Sequence, residues 1–280
     1  MSNDKMTPKK LKDWCRNKSN ELGISPEIIR RNFFLEKMLE LMAQSPYKDN
    51  FILKGGFLIS SKLGLNNRST LDLDTTIKNM KSDQKYVEKI FDEIISQSPI
   101  DGIKFERKEG HTIRTDEFNQ GVELKFIAQV GNSKEPFQMD ITSGEEITPP
   151  EVEYQHKLMF ENKTIDFKAY PDEQILADKL IGIMAYQTQN TRMRDYYDVY
   201  ELTKLDKSNI SYSTLASSLR KTAQQRKVKI EYKNITAIMD EVEGSEQMNR
   251  LWTAFQRKNS YAQGVSFSDT VKSVRKLLTK

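Results

Sequence analysis

Apolar residues recur at helical spacing in two parts of the N-terminal half and throughout the C-terminal third. Residues 26–43 and 85–96 each form an amphipathic pattern, and Ser25 followed by Pro26 is a typical helix start. From about residue 171 onward, helical spacing continues without a strand pattern of comparable strength, in segments 171–188, 192–203, 213–226, 234–241, 246–258 and 268–279. The pattern therefore predicts a helical lead and a helical C-terminal region.

Between these regions the spacing of apolar residues changes from helical to alternating. Residues 51–54 form a short apolar strand that ends at Gly55-Gly56, and a helical pattern follows. Leu71 and Leu73 alternate with acidic residues, and further strand patterns cover 103–108, 111–117, 121–130 and 136–142. We predict an α+β fold: an N-terminal helical segment (1–49), a mixed-sheet core (50–170) of mostly antiparallel strands, and a C-terminal helical domain (171–280).

Composition narrows the class of protein further. Of the 280 residues 37% are apolar and 30% charged, which predicts a buried core and a charged surface. No apolar run is long enough to span a membrane, and the charged N-terminus lacks the apolar stretch of a secretion signal, so we expect a cytoplasmic protein. With one cysteine, Cys15, and two histidines, the chain lacks the ligands of a Cys/His zinc site, and any metal must be held by oxygen.

Three aspartates are candidates for such oxygen ligands. Asp72 and Asp74 lie two residues apart on one strand and so project from the same face, where a divalent cation, Mg²⁺ or Mn²⁺, would neutralise them. Asp140 lies between Met139 and Ile141 on a strand that is otherwise apolar. If the two strands are neighbours, these carboxylates could hold two metal ions for an in-line displacement at phosphorus. A solvent-exposed strand face, and a turn-capping role for Asp140, would produce the same pattern.

Phosphate contacts are predicted next to the glycine pair. Gly55 and Gly56 allow the backbone to approach a phosphate closely, with Lys54 beside them and the hydroxyls of Ser60 and Ser61 following. A glycine pair alone is weak evidence for such a site.

A third group of charged residues lies in the C-terminal region. Lys179 falls within the apolar stripe of its helix and needs an anionic partner, either a core carboxylate or a triphosphate. In the segment TRMRDYYDVYEL, Asp195 or Asp198 could turn inward to meet Lys179, which would leave Arg192 and Arg194 for phosphates. Alternatively, Arg194 and Asp198 could pair along the helix surface.

The net charge of +4 is small, but basic residues cluster between positions 204 and 233. This run has eight basic residues against two acidic ones, Asp206 and Glu231; the basic ones are Lys204, Lys207, Arg220, Lys221, Arg226, Lys227, Lys229 and Lys233. Such a run could bind an RNA backbone, with Arg220, Lys221, Arg226, Lys227 and Lys229 as the candidate contacts, or simply form a solubilising helix face.

Taken together, these motifs resemble those of a known family. The combination KGG-FLIS, R-STLDLD, QMDI, ILADKL and TRMRDYYDVYEL, spanning roughly residues 50 to 203, is similar to the AbiEii-type (MenT-like) nucleotidyltransferase toxins of bacterial abortive-infection systems. These toxins belong to the DNA polymerase β-like nucleotidyltransferase superfamily. Arg68, just ahead of the aspartates, matches the arginine of the first motif, whereas Gly-Gly replaces the Gly-Ser of many superfamily members.

The resemblance implies a Mg²⁺-dependent enzyme that transfers a nucleotide from an NTP, in some relatives to the 3′ end of tRNA. It assigns metal binding to Asp72 and Asp74 and a second functional cluster to Lys179 with Asp195 or Asp198. It also implies an antitoxin partner and a toxin role in phage defence. Two alternatives stay open: a nucleotidyltransferase that modifies a small molecule or a protein, and an inactive relative that binds RNA or a partner protein.

Overall fold

The computed structural model describes residues 5–114, 120–205 and 210–280. It divides into two compact units: residues 1–145 with 152–169, and residues 146–151 with 170–280. The last part of the strand predicted at 111–117, and the charged residues Asp206 and Lys207, lie outside the described residues. The predicted α+β class with a mixed sheet is confirmed.

The first unit contains four helices and all eight strands of the described residues. The helices are α1 (Pro8–Leu22), α2 (Pro26–Gln44), α3 (Gly55–Leu63) and α4 (Gln84–Ile95). The strands are β1 (Phe51–Lys54), β2 (Asp72–Ile77), β3 (Lys104–Arg107), β4 (His111–Arg114), β5 (Gln120–Val130), β6 (Ser133–Ser143), β7 (Val152–Lys157) and β8 (Thr164–Ala169).

These strands form a single mixed sheet in the order β3-β5-β6-β2-β1-β8-β7, with β4 also paired to β5. Two of the pairings, β2 with β6 and β1 with β8, are parallel, and the others are antiparallel. The sheet is therefore mostly antiparallel, as predicted. The parallel pairing of β2 with β6 joins segments far apart in the chain and brings their aspartates together.

Alternation along the central strands separates an apolar face from a polar one. Leu73, Leu124 and Met139 are fully buried, and Phe126 stacks on Phe137 with ring centroids 5.3 Å apart. Since successive strand residues point to opposite faces, the residues between these apolar ones project from the other face. Asp74, Asp140 and Glu123 occupy such positions.

Three elements of this unit were not predicted from the sequence. Helix α1 buries only Leu11 and Cys15, so its apolar stripe is too sparse to recognise, although Thr7 before Pro8 repeats the helix start seen at Ser25. Strand β7 is largely exposed and shows no alternation. Strand β8 does alternate, with buried residues at 165, 167 and 169, and could have been predicted from its sequence.

The second unit is helical in its described residues and follows the predicted segments within about three residues at each end. Its helices are α5 (Asp172–Tyr186), α6 (Met193–Leu205), α7 (Tyr212–Gln225), α8 (Ile235–Gly244), α9 (Glu246–Lys258) and α10 (Phe267–Leu278). Aromatic rings form much of its core: Trp252 packs against Phe255 and Phe267, and Tyr197 packs against Tyr261 at 5.0 Å.

No helix in the described ranges combines the length and the apolar character needed to cross a bilayer.

Candidate active site

A row of charged residues crosses four neighbouring strands of the sheet in the first unit. Lys54 of β1 pairs in register with Asp74 of β2, Asp74 with Asp140 of β6, and Asp140 with Glu123 of β5. Residues directly opposite each other on paired strands share a face, so these side chains lie side by side. Asp72 lies two residues before Asp74 on the same strand and thus on the same face.

The start of helix α3 lies against the carboxylate of Asp74. The backbone N–H of Gly56 donates to Asp74 Oδ2 at 2.9 Å, and Gly55 has a φ of +63°. A Cβ at Gly55 would lie 2.1 Å from Asp74 Oδ2, and one at Gly56 would lie 2.6 Å from Thr70 Oγ1. Both glycines are therefore needed for helix α3 to begin this close to the aspartate.

The pKa of Asp140 is raised by its surroundings in this row. Burial, followed by the negative charges of Asp74, Glu123 and Asp72, raises its pKa from 3.8 to about 6, against the opposing charge of Lys54. Its Oδ1 atom is buried and accepts no hydrogen bond from the described residues. Asp140 lies within β6 and has cross-strand partners on both sides, so it is a central strand residue and not a turn cap.

The carboxylates of this row fit a divalent cation. Adjacent like charges destabilise one another, and a buried carboxylate oxygen without a partner is costly. Oxygen ligands of this type suit Mg²⁺ or Mn²⁺. Asp72, Asp74 and Asp140 are the residues of this row that could hold such a cation, and their oxygens do not all lie within 4.8 Å of one another.

A second carboxylate cluster in this unit is occupied by a lysine. Glu40, Asp101 and Glu161 have oxygens within 4.8 Å of one another, and among the described residues they are the set that meets this criterion. Lys37 Nζ lies 2.9 Å from Glu40 and 2.7 Å from Asp101, and also bonds Glu161. Burial lowers the pKa of Lys37, but the three carboxylates outweigh burial and raise it. The cluster is therefore an ion-pair network around the buried Lys37.

Two of the predicted phosphate contacts are engaged within the protein. Lys54 Nζ bonds both oxygens of Glu145, at 2.6 and 2.7 Å, and Thr142 Oγ1 at 2.6 Å. Ser60 is buried, and its hydroxyl donates to the carbonyl oxygen of Arg68 at 2.5 Å. In this geometry the Ser60 hydroxyl closes the turn after α3, and its contact with a phosphate stays a prediction.

Arg68 and Ser61 also lie close to helix α3. Arg68 is only 2% exposed, and one of its guanidinium nitrogens lies 3.4 Å from the position that a Cβ on Gly56 would take. Arg68 thus brings a buried positive charge to the start of the helix. The Ser61 hydroxyl is bonded to Tyr154 and to His156 Nδ1, at 2.5 and 2.7 Å, so it too is engaged within the protein.

In the second unit, Lys179 bridges both predicted aspartates. Its Nζ lies 2.9 Å from Asp195 and 2.8 Å from Asp198, which is fully buried. Burial lowers the pKa of Lys179, but the two carboxylates outweigh burial and raise it, so the lysine stays charged. Because Asp198 turns inward, the surface pairing with Arg194 is not formed, and Arg192 and Arg194 are exposed at the start of α6.

The basic run is partly neutralised by neighbouring acids. Lys221 pairs with Glu146, Arg226 pairs with Asp178 at 3.0 Å, and Lys204 pairs with Glu201 at 3.3 Å. Arg220, Lys227 and Lys229 are exposed. The excess of positive charge available to a ligand is therefore smaller than the residue count indicates.

Sequence analysis missed Glu123 and Glu145. Glu123 extends the acidic row to a third strand, and Glu145 holds Lys54. The signal for Glu123 was present, since it alternates with Val122 and Leu124 on a predicted strand as Asp74 alternates with Leu73. Its position beside Asp140 depends on the pairing of β5 with β6 and has no sequence signal.

Comparison with solved structures agrees with this fold. Two crystal structures of Helicobacter pylori proteins each cover 91% of the chain. The first, JHP933, has a TM-score of 0.54 and 14% identity, over 91% of its own length. The second, a candidate nucleotidyltransferase, has a TM-score of 0.52 and 15% identity, over 94% of its own length. At these identities they show a shared fold. No curated protein sequence matches the chain.

A match to a family model assigns the chain to the nucleotidyltransferases. Residues 37–276 match the family described as nucleotidyl transferase AbiEii toxin of type IV toxin–antitoxin systems. The chain belongs to this family, and an antitoxin partner and an NTP substrate are implied by the membership.

Proposed function

We propose that the chain is a toxin that transfers a nucleotide from an NTP to an RNA, with the 3′ end of tRNA as the favoured acceptor, and so blocks translation during phage defence. The observation that carries the proposal is the placement of Asp140. Its buried oxygen without a partner lies beside Asp74, where a divalent cation would be bound most favourably.

In this proposal Asp72, Asp74 and Asp140 hold Mg²⁺, as the resemblance implies for the first two. Bound there, the metal would supply charge for the triphosphate and for the developing negative charge of an in-line displacement. Gly55 and Gly56 let the backbone approach the phosphates, and Arg68 supplies positive charge at the start of α3. Lys54 counters the charge of the acidic row.

Asp140 is also the proposed base for the acceptor hydroxyl. Its place beside Asp74 puts it next to the proposed metal, where it could act as the base for the acceptor hydroxyl or orient that base. Such a reaction needs no protein nucleophile, which agrees with the absence of a catalytic cysteine motif in the sequence.

The second unit contributes binding groups in this proposal. Lys179 positions Asp195 and Asp198 at the start of α6, where Arg192 and Arg194 are exposed for phosphates. Arg220, Lys221, Arg226, Lys227 and Lys229 would contact the RNA backbone, with the paired residues among them contributing less.

The test is transfer of label from each of the four NTPs to total RNA in the presence of Mg²⁺. We expect label on RNA of tRNA size from the intact protein and none from Asp140→Asn or from the Asp72→Ala, Asp74→Ala double variant. Asp166→Asn is the matched control, because Asp166 is an exposed aspartate on β8 of the same sheet, and it should keep full activity.

Other results would select between the alternatives. A folded protein that binds NTP but labels no RNA would indicate a small-molecule or protein acceptor. A folded protein that binds no NTP with Mg²⁺ would indicate an inactive relative, and the proposed function would be wrong.

A further inference from the structure

A cavity of about 540 Å³ lies within the second unit, between the start of α6 and the C-terminal part of α9. Its lining includes Arg192, just before α6, and Arg194, in the first turn of α6. Helix α9 contributes Leu251, Phe255 and Lys258. This volume is within the range of sites that bind small ligands. The α9 residues of the wall play no part in the function proposed above.

The cavity is positively charged. Arg192, Arg194 and Lys258 are exposed, and within the described ranges no carboxylate forms an ion pair with any of them. The acidic residue of the wall, Asp195, is neutralised by Lys179 at 2.9 Å. The cavity therefore has three cations available to an anion, whereas Lys204, Lys221 and Arg226 of the basic run are each paired with an acid.

One wall of the cavity is an aromatic ring held in place by other rings. Phe255 is half-buried and packs against Trp252 at 5.4 Å and against Tyr197 and Tyr261, each at 6.2 Å. Because these neighbours restrict its side chain, the part of the ring that lines the cavity is a preordered apolar surface. Binding of a planar apolar group here would therefore cost little conformational entropy of the protein.

Several cations and a fixed aromatic ring in one cavity are the features with which proteins bind single-stranded nucleic acid. Cations contact the phosphates, and the ring stacks on a base without selecting its sequence. We propose that this cavity binds a nucleotide of single-stranded RNA, with Arg192, Arg194 and Lys258 on the phosphate and Phe255 against the base. The inference rests on the proposed function, for which it names an RNA subsite in the second unit.

The test is direct binding of a fluorescently labelled single-stranded RNA of about 12 nucleotides to the full chain, without NTP, by fluorescence anisotropy. The variants are Lys258→Ala and Phe255→Leu, the latter keeping an apolar side chain against Trp252. Arg257→Ala is the matched control, because Arg257 is an exposed cation on the same helix that does not line the cavity.

We expect each cavity variant to weaken RNA binding at least about fivefold, from the typical value of a base stack or phosphate contact, and Arg257→Ala to change it less than about twofold. Lys258→Ala should also reduce the slope of log Kd against log salt by about one, whereas Phe255→Leu should leave this slope unchanged. Circular dichroism and thermal unfolding of each variant verify that it is folded.

Four results would overturn the inference. Equal losses from Lys258→Ala and Arg257→Ala would indicate a diffuse positive field instead of a site. Unchanged RNA affinity in both cavity variants, or no RNA binding by the intact chain, would exclude the subsite. Weaker NTP binding with unchanged RNA binding would assign the cavity to the substrate nucleotide. Since binding is measured without turnover, a chain that lacks transferase activity can still show cavity-dependent RNA binding.

Discussion

The charge of Asp140 should destabilise the metal-free protein, so its removal should stabilise the fold while abolishing activity. Asp140 lies between Asp74 and Glu123 in register, and its pKa is raised from 3.8 to about 6 by burial and by these neighbours. Asp140→Asn keeps the size of the side chain and removes the charge. The amide of the variant could also donate to the adjacent carboxylates.

The magnitude follows from this change in pKa. A carboxyl whose pKa is higher in the folded than in the unfolded state binds its proton more tightly when folded, so stability falls as pH rises from about 4 to about 6. A difference of about two pKa units corresponds to about 3 kcal/mol at higher pH. Because Asp140 is only partly buried, solvent screening reduces this value, and we expect Asp140→Asn to stabilise the fold by about 1–2 kcal/mol at pH 8.

Urea unfolding with a chelator present measures this difference in stability. The gain should be largest at pH 8 and should disappear near pH 4, where Asp140 of the intact protein is protonated. Adding Mg²⁺ at about 100 times its Kd should then reverse the order, because a ligand at that concentration stabilises the native state by about 2.7 kcal/mol. Mg²⁺ should stabilise the intact protein more than Asp140→Asn. The control Asp166→Asn should be stabilised as much as the intact protein.

The reasoning would be refuted if Asp140→Asn were less stable than the intact protein at pH 8 without metal. That result would mean that the carboxylate has a stabilising partner that the structure does not show. Equal stabilisation of both proteins by Mg²⁺ would mean that Asp140 does not bind the metal. The repulsion between Asp140 and its neighbouring carboxylates would then be unrelated to metal binding.

Three further predictions follow from the same structure. Gly55→Ala should destabilise the fold by at least about 1–2 kcal/mol and reduce activity, because its φ is +63° and its Cβ would meet Asp74; an effect no larger than that of Gly182→Ala, a glycine with open space around it, would contradict this. Lys179→Met should cost about 3–5 kcal/mol in urea unfolding, since it leaves the buried Asp198 carboxylate without its lysine, and unchanged stability would disprove the bridge. Cys15, whose pKa burial raises to about 11, should react with iodoacetamide at pH 8 at least about 100-fold more slowly when folded than in urea, and similar rates would refute its burial.

The local elements of this protein could be predicted from sequence because their signals are local. Six helices of the second unit and strands β1, β2, β3, β5 and β6 follow from the spacing of apolar residues and from caps such as Ser25-Pro26. Helix α1 and the edge strand β7 could not, because each buries too few residues to create a periodic pattern.

The candidate residues follow from sequence in their type but not in their arrangement. Asp72, Asp74 and Asp140 are recognisable because a carboxylate among apolar strand residues is costly without a partner. Lys179 is recognisable for the same reason within its helix. The partner of the Ser60 hydroxyl does not follow from sequence, because it is a backbone carbonyl that only the folded turn presents.

The secondary-structure elements and the charged residues that they carry can be recognised in the sequence. Which of these residues meet depends on the tertiary fold. Asp74 and Asp140 are 66 positions apart and become neighbours through the parallel pairing of β2 with β6, while Glu123 joins them through β5. Periodicity reports which face of a strand a residue occupies, whereas the order and register of the strands depend on packing across the whole sheet.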